Sequence, residues 1–208
     1  MNSTDCIGNS LIIIVDLWQN EKLNNLAQNI KEYIENTEHI KSVCLSSYFN
    51  VTNICSSDHY WKNSKKLFND IIEIDAIRKN WIERTKEKNI THSTIMSIKP
   101  RNDQFFFSAS SPFEIIYYCN STNQSIRNIY WAGVDWRICI RDRPVGYQEI
   151  INCYKNNFFK NKINFRTNKT LIATNKELDS ADLNFIDCEP CNNWIETDVP
   201  NEWIYKIK

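Results

Sequence analysis

Glycine is scarce in this sequence, with only three in 208 residues. The phosphate-binding loops of nucleotide-dependent proteins, G-x-x-x-x-G-K-S/T and G-x-G-x-x-G, require closely spaced glycines, and neither pattern occurs. The G-x-S-x-G turn that exposes the nucleophile of many serine hydrolases is absent as well. The scarcity of glycine therefore excludes the commonest nucleotide-binding and serine-hydrolase classes.

A surplus of charge is also missing, because 25 lysines and arginines balance 25 aspartates and glutamates. Without a basic surplus, nothing in the charge pattern points to a nucleic-acid partner. The apolar run at residues 11–15 is too short for a signal peptide or a membrane span, and no positive segment precedes it. We therefore expect a cytoplasmic protein with neither nucleic acid nor a membrane as its partner.

Cysteine, by contrast, is plentiful, with eight residues. Only Cys188 and Cys191 form a C-x-x-C pair, and a zinc site usually needs a second pair of ligands, which the three scattered histidines do not supply. In a chain without an export signal, the cysteines are most simply reduced thiols. We predict no metal and no cofactor, and a metal or redox role for this pair is the less favoured alternative.

Apolar runs alternate with amphipathic segments along the chain, which is typical of an α/β protein with a mostly parallel sheet. The runs predict strands over residues 10–17, 40–48, 92–98, 129–132 and 170–174, with a sixth over 183–186. Helical spacing predicts helices over 21–37, 74–88, 112–119 and 136–154, and a long loop is expected over 49–69. Ser111 is the expected N-cap of the third helix, and Pro144 and Gly146 should interrupt the fourth.

No internal repeat, linker or change of composition divides the chain, so we predict one domain over residues 1–208. Its core should span about 9–175, as a three-layer αβα arrangement around a sheet of five to six strands. The tail, 176–208, is expected to pack on this core.

Three residues with chemical potential follow predicted strands. Asp16 ends the first strand, Lys99 ends the third, and Cys139 follows the fourth after a break at Gly133. Because parallel strands have their carboxyl ends at one edge, where α/β proteins bind ligands, we expect these side chains to meet. Taken singly, each residue has a simpler explanation: Asp16 as a loop cap, Lys99 as a solvated side chain and Cys139 as a buried inert thiol. Their convergence favours a site.

The position of Cys139 suits a reactive thiol. It follows a tight turn and begins a predicted helix, whose unpaired N–H groups and dipole favour the thiolate over the thiol. In such a site Asp16 takes the thiol proton, Lys99 favours the thiolate, and Cys139 attacks a carbonyl carbon to form a thioester that water cleaves.

The segments LIIIVDLWQN, SIKPRNDQFFF and AGVDWRICI, which contain these three residues, resemble the isochorismatase-like cysteine hydrolase family. This family includes nicotinamidases and N-carbamoyl amide hydrolases; its pattern is an Asp closing strand one, a Lys after a middle strand, and a Cys in a G-V/I-x-x-x-x-C turn. The resemblance covers roughly residues 11–174, and residues 139–146 are similar to a C-x-x-x-R-P-x-G variant. It implies the isochorismatase-like, Rossmann-like fold.

The same resemblance implies a catalytic triad of Asp16, Lys99 and Cys139 that hydrolyses C–N bonds other than peptide bonds. It further implies an oxyanion hole formed by the backbone N–H groups of Asp135 and Cys139, with a cis peptide between Val134 and Asp135. A small-molecule amide is the expected substrate, and a homo-oligomer is the expected assembly.

The chain departs from the family at Trp136, where Thr or Ser is usual, and at Trp18, close to a usual Gln. Nicotinamidases bind a metal through Asp-x-His and a further His, but here Asp58 and His59 are adjacent and no second histidine is near. We therefore expect no catalytic metal.

Trp18, Phe105, Trp136 and His59 are candidates for the substrate pocket, although the aromatic rings would equally suit a core. The rival interpretation is a non-catalytic protein of the same fold that serves binding or assembly, with Trp18 and Trp136 blocking the pocket. An aspartyl phosphatase is less favoured, because that chemistry needs a second Asp where Trp18 stands.

Overall fold

The computed structural model describes residues 8–46, 92–109, 111–137, 139–174 and 193–207. Several predictions concern other residues: the loop over 49–69, the helix over 74–88, the strand over 183–186, His59, and the pair Cys188 and Cys191.

The described part of the chain is an α/β structure built on a seven-stranded sheet of order β3-β2-β1-β4-β5-β7-β6. The first five strands in this order are parallel, and β7 pairs antiparallel with both β5 and β6. The strands are β1 Ser10–Val15, β2 Ile40–Ser46, β3 Phe105–Ala109, β4 Asn128–Val134, β5 Asn164–Ala173, β6 Trp194–Glu196 and β7 Glu202–Tyr205. The predicted mostly parallel α/β class is confirmed, with one more strand than expected.

The helices are short and lie between the strands. They are α1 Asn24–Asn36, preceded by a 3₁₀ helix Glu21–Leu23, then α2 Ser93–Met96, α3 Pro112–Ser121, α4 Cys139–Asp142 and α5 Tyr147–Lys155. The break between α4 and α5 confirms the predicted interruption at Pro144 and Gly146. Within the described ranges, no helix is long and apolar enough to cross a membrane.

The two central strands, β1 and β4, are buried along their whole length, which explains their continuous apolar sequences. Alternate residues of β1 face opposite ways: Ile12 and Ile14 pack in the core that contains α1, and Leu11 and Ile13 pack in the core that contains α3 and α5. Helices therefore cover both faces of the sheet.

Helix α3 begins as predicted. The Ser111 side chain accepts a hydrogen bond from the N–H of Phe113, the Glu114 side chain accepts one from the N–H of Ser111, and Pro112 occupies the first turn. Such a capping box satisfies N–H groups that the helix itself leaves unpaired.

The predicted strand over 92–98 is wrong, because this segment forms α2. The His92 side chain caps the helix by accepting from the N–H of Thr94. Ile95 and Ile98 are buried in the core with α1, whereas Met96 is exposed. Apolar residues spaced by three suit one face of a helix, and a strand would have required alternation. The third strand lies instead at Phe105–Ala109.

The prediction for the fifth strand, 170–174, includes only its end. The earlier part of β5 alternates between buried residues such as Thr167 and half-buried residues such as Arg166 and is mostly polar, so it has no apolar run. In the described part of the tail, 193–207, β7 adds to this part of β5 through the pairs Arg166–Ile204 and Thr167–Trp203.

Candidate active site

The strand order creates a switch point between β1 and β4. Strands β2 and β3 lie on one side of this pair and β5 on the other, so the connections leave in opposite directions. In sheets of this kind the crevice at the carboxyl ends of the two strands is the usual binding site. Asp16 directly follows β1, Asp135 directly follows β4, and Cys139 lies at the start of α4.

Gly133 allows the ends of β1 and β4 to approach closely. It pairs with Val15 and has φ of 113°, a conformation that residues with a side chain rarely adopt. A Cβ atom at this position would lie 2.0 Å from the carbonyl oxygen of Val15. Glycine is therefore required where β4 passes the residue immediately before Asp16.

The turn after β4 is fixed by its own hydrogen bonds. The Val134–Asp135 peptide bond is cis, as the family resemblance implies. The carboxylate of Asp135 accepts from the N–H of Arg137 at 2.9 Å, and its carbonyl accepts from the N–H of Ile140 at 2.8 Å. These contacts hold the first residue of α4, Cys139, beside the end of the sheet.

Asp16 and Cys139 share a neighbour, because the guanidinium of Arg143 contacts the carboxylate of the first and lies 3.9 Å from the sulfur of the second. The Asp16 side chain is only 4% exposed. Its backbone has φ of 51°, an uncommon conformation for a residue other than glycine and one that occurs often at functional sites. A buried carboxylate close to a thiol is the arrangement expected of a general base beside a nucleophile.

The pKa of the Cys139 thiol is raised above its ordinary value. Burial is the largest cause; a backbone hydrogen bond with Asp135 lowers the pKa, the hydrogen bond and charge of Asp16 raise it, and the charge of Arg143 lowers it. The expected helix effect is small because α4 has only four residues. The thiol is therefore favoured over the thiolate at neutral pH, and attack by this sulfur would require a base to remove its proton.

Arg143 contacts both members of this pair. Its Nε and Nη2 atoms lie 2.9 and 2.8 Å from Oδ2 of Asp16, and Nη2 lies 3.9 Å from Sγ of Cys139. The backbone N–H of Arg143 donates to the carbonyl of Cys139 at 2.9 Å, which places the two residues one helical turn apart. Arg143 is not among the residues predicted for the site, although its spacing of four residues from Cys139 is a usable signal in the sequence.

Lys99 is exposed and follows α2. Two residues later, the guanidinium of Arg101 donates to the carbonyl of Ile40, the first residue of β2, at 2.9 Å. Arg101 thus reaches the amino edge of the sheet, opposite Asp16. The predicted meeting of Lys99 with Asp16 and Cys139 relied on a strand over 92–98 that is in fact α2, so it loses that basis and stays a prediction.

The aromatic pocket candidates differ in position. Phe105 is the first residue of β3, at the amino edge, and stacks on Tyr118 with ring centroids 5.4 Å apart, so it belongs to the core. Trp136 is fully buried against Tyr147 and Trp194, each with centroids 5.0 Å from its own. It is therefore also a core residue.

Trp18 is half-buried, two residues after Asp16, and packs against the core that contains α1. Of the aromatic candidates it is the one that lies nearest in sequence to a reacting group.

The part of the chain that the structure describes contains no group of three or more His, Cys, Asp or Glu side chains that could hold a metal ion. No family model matches the sequence, and no curated protein matches it. We therefore infer the function from the geometry of Asp16, Cys139 and Arg143.

Proposed function

We propose that this chain is a cysteine-dependent hydrolase, of the isochorismatase-like kind, that cleaves a C–N bond of a small amide or carbamoyl compound without a metal. The observation that supports this most directly is that Arg143 contacts both the carboxylate of Asp16 and the sulfur of Cys139, which brings a candidate base and a candidate nucleophile together at the carboxyl ends of the two central strands. A nucleophile beside a base is the recurring arrangement of covalent catalysis.

In the first half of the reaction, the sulfur of Cys139 bonds to the carbonyl carbon of the amide while Asp16 takes the thiol proton. The resulting oxyanion accepts hydrogen bonds from the backbone N–H groups of Asp135 and Cys139, each of which contributes about 3 kcal/mol in a dry site. The C–N bond then breaks, Asp16 returns the proton to the leaving nitrogen, and ammonia or an amine departs from a thioester.

In the second half, Asp16 takes a proton from a water molecule that attacks the thioester carbon. The C–S bond breaks, the acid product leaves, and the proton on Asp16 returns to the sulfur. The raised pKa of the Cys139 thiol agrees with this scheme, because the resting group is protonated and a base at the sulfur is needed.

We extend the same proposal to the fold and to the cellular compartment. The strand order β3-β2-β1-β4-β5 with helices on both faces is compatible with the isochorismatase-like architecture. We propose the cytoplasm as its compartment, because the four cysteines in the described ranges, Cys44, Cys119, Cys139 and Cys153, are all free thiols, which a reducing compartment maintains.

Loss of ammonia release on Cys139→Ala tests the function. Purified protein is offered a panel of small primary amides and N-carbamoyl compounds, both aliphatic and aromatic, and released ammonia is measured. We expect the variant to lose at least about a thousandfold in kcat/KM, as removal of a nucleophile does elsewhere. Mass spectrometry of the wild type should find the acyl group on the peptide that contains Cys139.

Cys153→Ala is the matched control, because Cys153 is buried on α5 and burial raises its pKa to about 12. It should keep wild-type turnover. Full turnover by Cys139→Ala would reject the proposal. A wild-type protein that releases ammonia from no compound, with Cys139 alkylated as slowly as Cys153, would favour the non-catalytic binding protein.

A further inference from the structure

We infer that Arg143 is the cationic catalytic residue of this site, in the role that the sequence pattern assigned to Lys99. Its guanidinium contacts both groups between which the thiol proton moves. The inference rests on the proposed function, because it concerns the same proton transfer.

The geometry supports this assignment directly. Two nitrogen atoms of Arg143 bind one carboxylate oxygen of Asp16 at 2.9 and 2.8 Å, and one of them also lies 3.9 Å from the sulfur of Cys139. A guanidinium has five N–H donors in a fixed plane, so one side chain can serve two acceptors at once. The ammonium of a lysine is a compact charge and does not offer this fork.

The proton transfer moves one negative charge over a short distance. Before it, Asp16 is a carboxylate and Cys139 a thiol; afterwards, Asp16 is a neutral acid and Cys139 a thiolate. Because Arg143 touches both groups, it faces the negative charge in both states. Arg143 therefore faces the carboxylate of Asp16 before the transfer and the thiolate of Cys139 after it. The nearby dipoles then need little rearrangement.

Burial strengthens the effect. The Asp16 side chain is 4% exposed and that of Arg143 is 25% exposed, so water screens their interaction only in part. A carboxylate as deeply buried as Asp16 needs a partner, and Arg143 is the one that binds it. Its own backbone is held by hydrogen bonds to Cys139 at 2.9 Å and from Gly146 at 2.7 Å.

Glycine at position 146 keeps this turn closed. A Cβ atom there would lie 2.6 Å from the carbonyl oxygens of Ile140 and Arg141 and 2.8 Å from that of Arg143. The backbone of the segment that contains Arg143 is therefore packed tightly against α4, which fixes the starting point of the arginine side chain relative to Cys139.

The pH dependence of Cys139 alkylation tests the inference on the free protein. The full chain is treated with iodoacetamide between pH 5 and 11, and alkylation of the peptide that contains Cys139 is followed by mass spectrometry. Arg143→Ala should move the midpoint up by about one pH unit, which slows alkylation at pH 7 about tenfold. An unchanged midpoint would overturn the inference.

Two further substitutions separate charge from shape. Arg143→Gln keeps hydrogen bonding but removes the charge, so it should shift the midpoint almost as far as Arg143→Ala. Arg143→Lys keeps the charge and should shift it less. Equal shifts in these two variants would contradict an electrostatic role, and circular dichroism identifies any variant that fails to fold.

The matched controls are Arg141→Ala and Lys99→Ala. Arg141 lies two residues away and pairs with the exposed Asp142, and Lys99 is exposed in the segment after α2. Neither change should move the midpoint; a shift in Lys99→Ala comparable to that in Arg143→Ala would return the role to the lysine. Because alkylation needs no substrate, this result is independent of the amide-hydrolysis assay that tests the proposed function.

Discussion

Two buried pairs of a carboxylate and an arginine lie in different parts of the sheet. Asp16 and Arg143 form one at the carboxyl ends of β1 and β4, and Glu202 and Arg166 form the other where β7 meets β5. The carboxylate side chains are almost equally buried, 4% and 3% exposed. The two pairs nevertheless have different partners.

The pair at β7 is surrounded by groups that do not react. Glu202 binds Arg166 through one oxygen and accepts from the hydroxyl of Tyr130 at 3.2 Å through the other, and Arg166 also donates to Asn128 at 3.0 Å. Burial raises the pKa of Tyr130, and it raises the pKa of Tyr33 beside it to about 12, so both hydroxyls stay protonated. This cluster connects β4, β5 and β7.

The pair at the carboxyl edge includes a thiol as its third member. Arg143 also lies 3.9 Å from the sulfur of Cys139, a thiol that can lose a proton, and Cys139 is only half-buried. A buried ion pair alone therefore does not indicate a catalytic site. Its remaining partner, and the access of that partner to solvent, determine what the pair can do.

The largest expected difference between the two pairs is in stability. Glu202→Gln leaves the charge of Arg166, which is 12% exposed, without its carboxylate and should lower the free energy of unfolding by about 3 kcal/mol. Asp16→Asn should cost less, because Arg143 is 25% exposed and reaches water more easily. Urea denaturation of both variants measures this, and equal losses would contradict the distinction.

Activity, unlike stability, should not depend on the pair at β7. Where the wild type releases ammonia, Glu202→Gln should keep that activity when assayed at a temperature at which the variant stays folded. A selective loss of activity in the folded variant would show that the cluster at β7 does more than stabilise the sheet.

The next effect concerns the thiol. The hydrogen bond and charge of Asp16 raise the pKa of Cys139, so Asp16→Asn should lower it and move the midpoint of iodoacetamide alkylation down by about one pH unit. Arg143→Ala moves the same midpoint up. The proposed base therefore suppresses the resting thiolate, and a rise of the midpoint in Asp16→Asn would contradict this account.

A smaller effect is expected on stability in alkaline solution. Burial raises the pKa of Cys153 to about 12 from a usual 9.0. A group whose pKa is higher in the folded state stabilises the protein fully below the unfolded value and loses that contribution as the pH rises towards the folded value. Stability should therefore fall between about pH 9 and 12, with Cys153 contributing up to about 1.4 kcal/mol per pH unit.

Cys153→Ala removes this contribution. Urea unfolding at pH 8, 9 and 10 should give a shallower decline for the variant than for the wild type. Parallel declines would show that the thiol of Cys153 is not buried in solution as it is in the structure.

Prediction from the sequence succeeded where the signal was local. The continuous apolar run of β1, the capping box before α3, and the glycine turn before Cys139 each depend on a few adjacent residues. It failed at residues 92–98, where a short apolar segment suits a strand or a helix equally well and contact with α1 decided the outcome. The expected position of Lys99 at the end of a strand depended on that segment.

The sequence by itself determined the elements at the centre of the sheet and the residues that follow them, Asp16 and Cys139, because periodicity and turn chemistry act over short distances. Only the tertiary structure decided which cation accompanies them. Strand order and register set the distances between residues far apart in the chain, and they bring the guanidinium of Arg143 to 2.8 Å from the carboxylate of Asp16, which lies 127 positions earlier.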